Sequence, residues 1–104
     1  MPLKNYAVSV VFLMDFAWDS AKSRRNLAER GFGFDAAALI FDGPVIEWCD
    51  VRHTWGEARV VAVGAVEDVM LAVIYTDRGD VRRIISARRA RKKEIELWQW
   101  CVNL

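Results

Sequence analysis

Histidine and cysteine are scarce in this chain: one histidine, His53, and two cysteines, Cys49 and Cys101, occur in 104 residues. The cysteines form no Cys-x-x-Cys pair and do not build the dense framework of a small secreted scaffold, so a reducing compartment, the cytoplasm, is expected. No cluster of Cys, His and carboxylate stands at metal-ligand spacing. Neither a dedicated metal site nor a cofactor is therefore expected, and any chemistry should proceed without a metal. No apolar run approaches the roughly 20 residues that span a bilayer, so no membrane association is expected. The nearest such run, Tyr6 to Met14, follows a lone lysine, Lys4, but carries no small-residue cleavage site, which argues against an export signal. Internal repeats, low-complexity segments and linkers are missing as well. At 54% apolar residues the chain can build one compact core and is too short for two.

Positive charge is present but unevenly placed. The formal net charge is only +1, yet eight of the fifteen Lys and Arg residues lie between Arg78 and Lys93, where Asp80 is the single carboxylate. Such a concentration points to a polyanionic partner.

The residue patterns predict an α+β domain. Asp15 to Trp18 alternates polar and apolar residues, as a half-buried strand does. Asp19 can cap a helix that runs to about Arg30 and stops at Gly31, with Ala21, Leu27 and Ala28 inward and Lys22, Arg24, Arg25 and Glu29 in water. A second short helix spans Asp35 to Phe41 and ends at Gly43-Pro44. Val45 to Cys49, Ala58 to Ala65, Val69 to Thr76 and Val81 to Ser86 are rich in Val and Ile and read as strands, the last three joined by short turns into an antiparallel meander. A final helix is expected over Ala87 to Trp98. The expected architecture is an antiparallel sheet of about four to five strands with two N-terminal helices and one C-terminal helix, the helices covering one sheet face. On that helix Leu97, Trp98, Trp100 and Cys101 cannot all face inward, so part of the surface should be covered by another chain or by Tyr6 to Leu13.

Ordered residues along most of the chain resemble the BrnT toxin family of bacterial type II toxin-antitoxin systems. They are Phe16, Trp18-Asp19, Lys22, Asn26, Gly31 with Phe34, and Phe41-Asp42 with Pro44. They continue as His53, Glu57, Arg59, Gly64, Tyr75-Thr76 and Arg78, and end with Arg83-Ile84-Ile85-Ser86-Ala87-Arg88, Ala90 and Glu94. The resemblance covers roughly Met14 to Glu94. It implies a RelE-like fold and a ribonuclease that inhibits translation. It also implies a co-encoded ribbon-helix-helix antitoxin, BrnA-like, through which DNA would mainly be bound, in a hetero-oligomer or beside a homo-oligomer. Residues 1–13 then form an N-terminal extension, either an extra strand or the result of a start assigned upstream of Met14, ahead of a single toxin domain over 14–104. Arg30 departs from the histidine usual before the glycine, and the tail from Ile95 to Cys101 is more apolar than the family pattern.

Cleaving RNA without a metal requires a base for the ribose 2'-hydroxyl, cations for the charge that grows on the phosphoryl oxygens, and a proton for the leaving oxygen. Arginine suits the second task, because its planar fork donates paired hydrogen bonds to phosphate and keeps its charge. Arg59, Arg78, Arg83 and Arg88 form the expected phosphate-contact set. The base is sought among Lys22, His53, Glu57 and Glu94: His53 has the ordinary pKa closest to neutrality, and Lys22 or Glu57 would serve if neighbours shifted theirs. Arg89, Arg91, Lys92 and Lys93 are assigned to the final helix as a face for the RNA backbone. Tyr75 either stacks on a base or packs in the sheet with its hydroxyl at the edge. Asp19 is expected as a helix cap, Asn26 as a helix-surface residue, and Trp18, Phe34, Phe41 and Ile85 as core. The alternative to a ribonuclease is a non-catalytic module whose basic face holds RNA or an acidic protein segment, or a degenerate toxin.

Overall fold

The computed structural model describes residues 15–50 and 56–103. Along them run β1 (Asp15–Trp18), α1 (Ser20–Arg30), a single helical turn α2 (Phe34–Ala37) that tightens into a 3-10 segment (Ala38–Asp42), β2 (Ile46–Cys49), β3 (Val60–Val66), β4 (Val69–Arg78), β5 (Val81–Arg89) and α3 (Lys92–Val102). The extension at residues 1–13 and the candidate base His53 lie outside the described residues.

The five strands form one sheet in the order β1-β5-β4-β3-β2. Strands β2 to β5 are antiparallel neighbours, the last three as their short connections dictate, with a bulge in β5 opposite Ile74 and Tyr75. The expectation of a wholly antiparallel sheet is corrected at one edge: β1 lies parallel to β5, with Asp15 opposite Val81 and Trp18 opposite Ile84. Nothing in four residues of alternating pattern specifies a partner, and the strand that β1 joins is far away in sequence.

Helices cover both faces of this sheet, not one. On the first face α2 and the 3-10 segment bury Phe34, Ala37 and Ile40 against Ala62, Leu71, Val73, Tyr75, Ile84 and Ala87, with Phe16, Trp18 and Phe41 at the rim. The approach is close at Gly64, where a Cβ would stand 2.9 Å from Val45 Cγ1 and 3.1 Å from Ile40 Cβ. On the second face α3 lays Trp98 against Val61, Val63, Ala72 and Ile74, with Ile85 and Ile46 beside it. The Trp98 indole N–H donates to Pro44 O at 2.9 Å, which satisfies the one polar atom that the ring brings to this surface. Leu97 and Trp100 stay exposed, at 48% and 66%.

Helix α1 has the predicted ends and an unpredicted inner face. Asp19 accepts the Lys22 N–H at 3.0 Å, and Gly31 closes the other end at φ 88°, the left-handed region that favours glycine. The expected inward residues are not inward: Ala21 and Ala28 are exposed, and Leu27 is 55% exposed. Ser23, Asn26 and Arg30 face the body instead. Asn26, expected on the helix surface, is buried and donates to Phe32 O at 2.9 Å while accepting from Arg30 Nη1 at 2.8 Å. Ser23 Oγ accepts the Phe34 N–H, and Arg30 Nη1 reaches Ala87 O. The spacing 23, 26, 30 is itself one helical stripe, but a polar one, and a search for apolar periodicity passes over it.

The final strand and helix shift relative to expectation. Pairing with β4 carries β5 as far as Arg89, and Ala90 N–H adds a further bond to Met70 O. The last helix therefore begins at Lys92, where Glu94 accepts the Arg91 N–H at 2.7 Å and caps the first turn.

Candidate active site

The residues singled out from the sequence separate along β5. Alternation on the strand sends Arg82 to the first face and Arg83 to the second, because they stand opposite Asp77 and Thr76 respectively. Arg88, opposite Ala72, is on the same face as Arg83 but roughly 15 Å farther along the strand at about 3.3 Å per residue.

Around Arg83 the structure gathers a charged cluster. Glu57 sits at the foot of β3, where Thr76 Oγ1 donates to the neighbouring Ala58 O at 2.8 Å and fixes the approach of that segment to β4. Just across the loop base, Asp50 N–H donates to Arg59 O at 2.8 Å. Arg78, the last residue of β4, grips Glu57 with both arms of its fork, Nε to Oε2 at 2.6 Å and Nη2 to Oε1 at 3.0 Å. Both side chains are open to solvent, 62% and 39% exposed. The Arg78 hydrogen bonds hold the Glu57 carboxyl below its ordinary pKa, and the charges of Arg59 and Arg83 act in the same direction. Asp19, at the start of α1, is also held low, chiefly by the Lys22 backbone N–H, with the Lys22 ammonium and the Arg83 guanidinium adding to it. Arg83 thus links Glu57, Arg59 and Arg78, at the β4-β5 hairpin end where β1 begins, with Asp19 and Lys22, farther along β5 where β1 passes into α1. A cleft of about 310 Å³, lined by Gly56, Glu57, Ala58, Val60, Tyr75, Thr76 and Asp77, opens at that hairpin end.

Other sequence candidates have different surroundings. Arg88 is ion-paired with Glu94, Nη1 to Oε1 at 2.8 Å and Nη2 to Oε2 at 2.9 Å, and these hydrogen bonds lower the Glu94 carboxyl pKa against the opposing effect of its partial burial. Glu94 as a candidate base is engaged by that pair and by the cap of α3. Tyr75 takes the second of its two expected roles. It is only 3% exposed, meets the Phe41 ring edge-on at 5.4 Å, and donates its hydroxyl to Glu47. Burial, with that hydrogen bond, raises its pKa well above the ordinary phenol value. Of the cations assigned to the last helix, Arg89 belongs to β5, Arg91 precedes the first turn, and only Lys92 and Lys93 lie in the helix, all exposed.

Arg82 is a structural residue that sequence reasoning passed over. Its guanidinium lies 4.0 Å from the Tyr75 ring centroid and 4.8 Å from that of Phe41, and it forms a two-armed ion pair with Asp77. Alternation supplied the signal that was available: a residue between Val81 and Ile84 that pairs across a hairpin with Asp77 points to the core side.

A family model described as "Ribonuclease toxin, BrnT, of type II toxin-antitoxin system" matches residues 18–94, the span that carries the α1 start, the Glu57 loop and all of β5. Among curated proteins none matches.

Proposed function

Since this chain belongs to the BrnT family of type II toxin-antitoxin ribonucleases, we propose that it is a metal-independent endoribonuclease that inhibits translation by cutting RNA at the Glu57-Arg83 cluster. The observation that carries this reading is a carboxylate set among Arg59, Arg78 and Arg83, an arrangement suited to a phosphodiester and its neighbouring hydroxyl. Type II membership implies an RNA substrate and an antitoxin; in the finer reading the antitoxin is BrnA-like, of ribbon-helix-helix form, and the complex works in the cytoplasm. Among the described residues no helix is long and apolar enough to cross a membrane, and no three His, Cys, Asp or Glu side chains are grouped to hold a metal ion.

In the proposed reaction Arg83 and Arg59 bind the scissile phosphate and stabilise the added charge as the 2'-oxygen attacks phosphorus. Lys22 supplies a further cation at the rim. Glu57 accepts the 2'-hydroxyl proton. Clamped by Arg78 it is a weak acceptor, because a lowered pKa means low proton affinity. A substrate phosphate offers Arg78 an alternative two-armed partner, and its arrival would release Glu57 toward ordinary carboxylate basicity. The attacking hydroxyl thus loses its proton as the 2'-oxygen bonds to phosphorus, the 5'-oxygen leaves with a proton from solvent, and a 2',3'-cyclic phosphate results. Arg88 is assigned to positioning β5 against α3 through Glu94, and Arg89, Arg91, Lys92 and Lys93 to the RNA backbone.

The test is cleavage of a single-stranded RNA by purified protein in excess chelator, beside Arg83→Ala. Cyclic-phosphate ends from the native chain and their loss in the variant are expected. RNA bound but never cut, even at high enzyme concentration, would replace this reading by a non-catalytic one.

A further inference from the structure

A second cleft, of about 140 Å³, lies between α1 and β5. Lys22, Arg25 and Arg30 line it from the helix, Ser86 from the strand, and Phe34 and Ile85 supply its apolar floor. One carboxylate, Glu29, is in the lining beside the three cations. The three paired arginines of the neighbouring strands, Arg78, Arg82 and Arg88, are each bound to a carboxylate. By contrast, among the described residues Lys22, Arg25 and Arg30 form no ion pair, and the inner end of this set is rigidly held. Buried Asn26 accepts from Arg30 Nη1 at 2.8 Å, and the same nitrogen reaches Ala87 O at 3.3 Å, so Arg30 bridges helix and strand while its remaining N–H groups keep their capacity to donate. Lys22 belongs at once to this cleft and, through Asp19, to the neighbourhood of Arg83.

We propose that this cleft is a second phosphate subsite, which takes an RNA backbone phosphate flanking the one held at Arg83. The proposal rests on the ribonuclease reading above and gives it a direction: RNA runs from the Glu57 loop, past Lys22, and along the α1-β5 seam. Arg25 and Arg30 donate to the phosphoryl oxygens and the Ser86 hydroxyl adds a neutral donor. The small cleft and its apolar floor suit a single phosphate with its ribose and not a stacked base. Because Arg25 makes no side-chain hydrogen bond or ion pair among the described residues, it can be neutralised without disturbing the helix.

Arg25→Gln separates this subsite from the catalytic cluster. The substrates are a dinucleotide, which occupies the Arg83 cluster alone, and a single-stranded hexanucleotide, which also reaches the seam. The expected result is a rise in KM for the hexanucleotide of about tenfold with kcat little changed. The dinucleotide KM should rise at least fivefold less. For a hexanucleotide with a 2'-deoxy group at the scissile position, the slope of log affinity against log salt should fall by about 0.7, one single-strand phosphate contact. Arg30→Lys keeps the charge but not the fork and should show the same preference for long over short substrate, with thermal unfolding monitored because Arg30 also links helix to strand. Equal losses on both substrates, or none on either, would overturn the subsite. No cleavage of either substrate by the native chain would instead remove the ribonuclease reading, while the salt slope on the deoxy oligonucleotide would still report on the cleft.

Discussion

The two ends of β5 carry the same residue type in opposite states. At one end Arg83 has no ion-pair partner among the described residues and acts on the carboxyls of both Asp19 and Glu57; at the other Arg88 is locked to Glu94 and helps to seat α3. Charge counted along a sequence is therefore not charge available to a ligand. Of the eight cations between Arg78 and Lys93, Arg78, Arg82 and Arg88 are neutralised by carboxylates that lie beyond the run or at its turn. The unpaired cations of α1, which attract no notice in composition, face a cleft instead.

Substitutions can break or sharpen this contrast. The largest effect is expected at the open end: Arg83→Ala should lower kcat by roughly 100- to 1,000-fold with little change in Tm, as loss of one oxyanion donor does. Arg88→Ala should do the reverse, costing about 2 kcal/mol of stability for a half-buried charged hydrogen-bonded pair while cleavage by the folded fraction persists. Equal loss of activity in the two variants would erase the distinction.

The identity of the base follows from pH. A carboxylate held below its ordinary value of 4.5 must be ionised to accept a proton, so with Glu57 as base the acid limb of kcat/KM falls at or below pH 4.5. With His53 the limb would fall near its ordinary pKa of about 6.5. Glu57→Gln and His53→Ala, measured side by side, should reproduce that choice in kcat.

Stability should follow acidity for a related reason at the locked end. The folded-state pKa of Glu94 lies below its unfolded value, so its contribution is present above about pH 4.5 and is lost as pH falls through the lowered folded value. Acid titration of Arg88→Ala by circular dichroism should show that part of the pH dependence flattened. The smallest effect is expected for Lys92→Gln with Lys93→Gln: kcat unchanged, and a salt slope reduced by about 0.7 per lost phosphate contact.

Much of this was legible in the residues. The Asp19 and Gly31 helix ends and the β3-β4-β5 meander follow from local chemistry, and Glu57, Arg59, Arg78 and Arg83 are among the residues that the ordered resemblance singles out, though it does not group them apart from Arg88. What escaped depended on distant partners. The parallel seat of β1 needs β5, and the commitment of Arg88 needs Glu94. The inward turn of Asn26 needs Phe32 O, so apolar periodicity pointed instead to Leu27. Arg82 belongs to the same class: its place over Tyr75 and Phe41 becomes visible only when strand pairing fixes which face it takes.

The seat of β1 also sets a schedule for synthesis. The strand that leads into α1, and so aims Lys22 and Asp19 at Arg83, has its only described strand neighbour in β5, near the opposite end of the chain. A ribosome making this protein releases α1 early and the strand that anchors it late. The cluster around Arg83 therefore cannot assemble on a nascent chain until β5 has emerged, and the ribonuclease activity we propose for it is absent until that strand has been made.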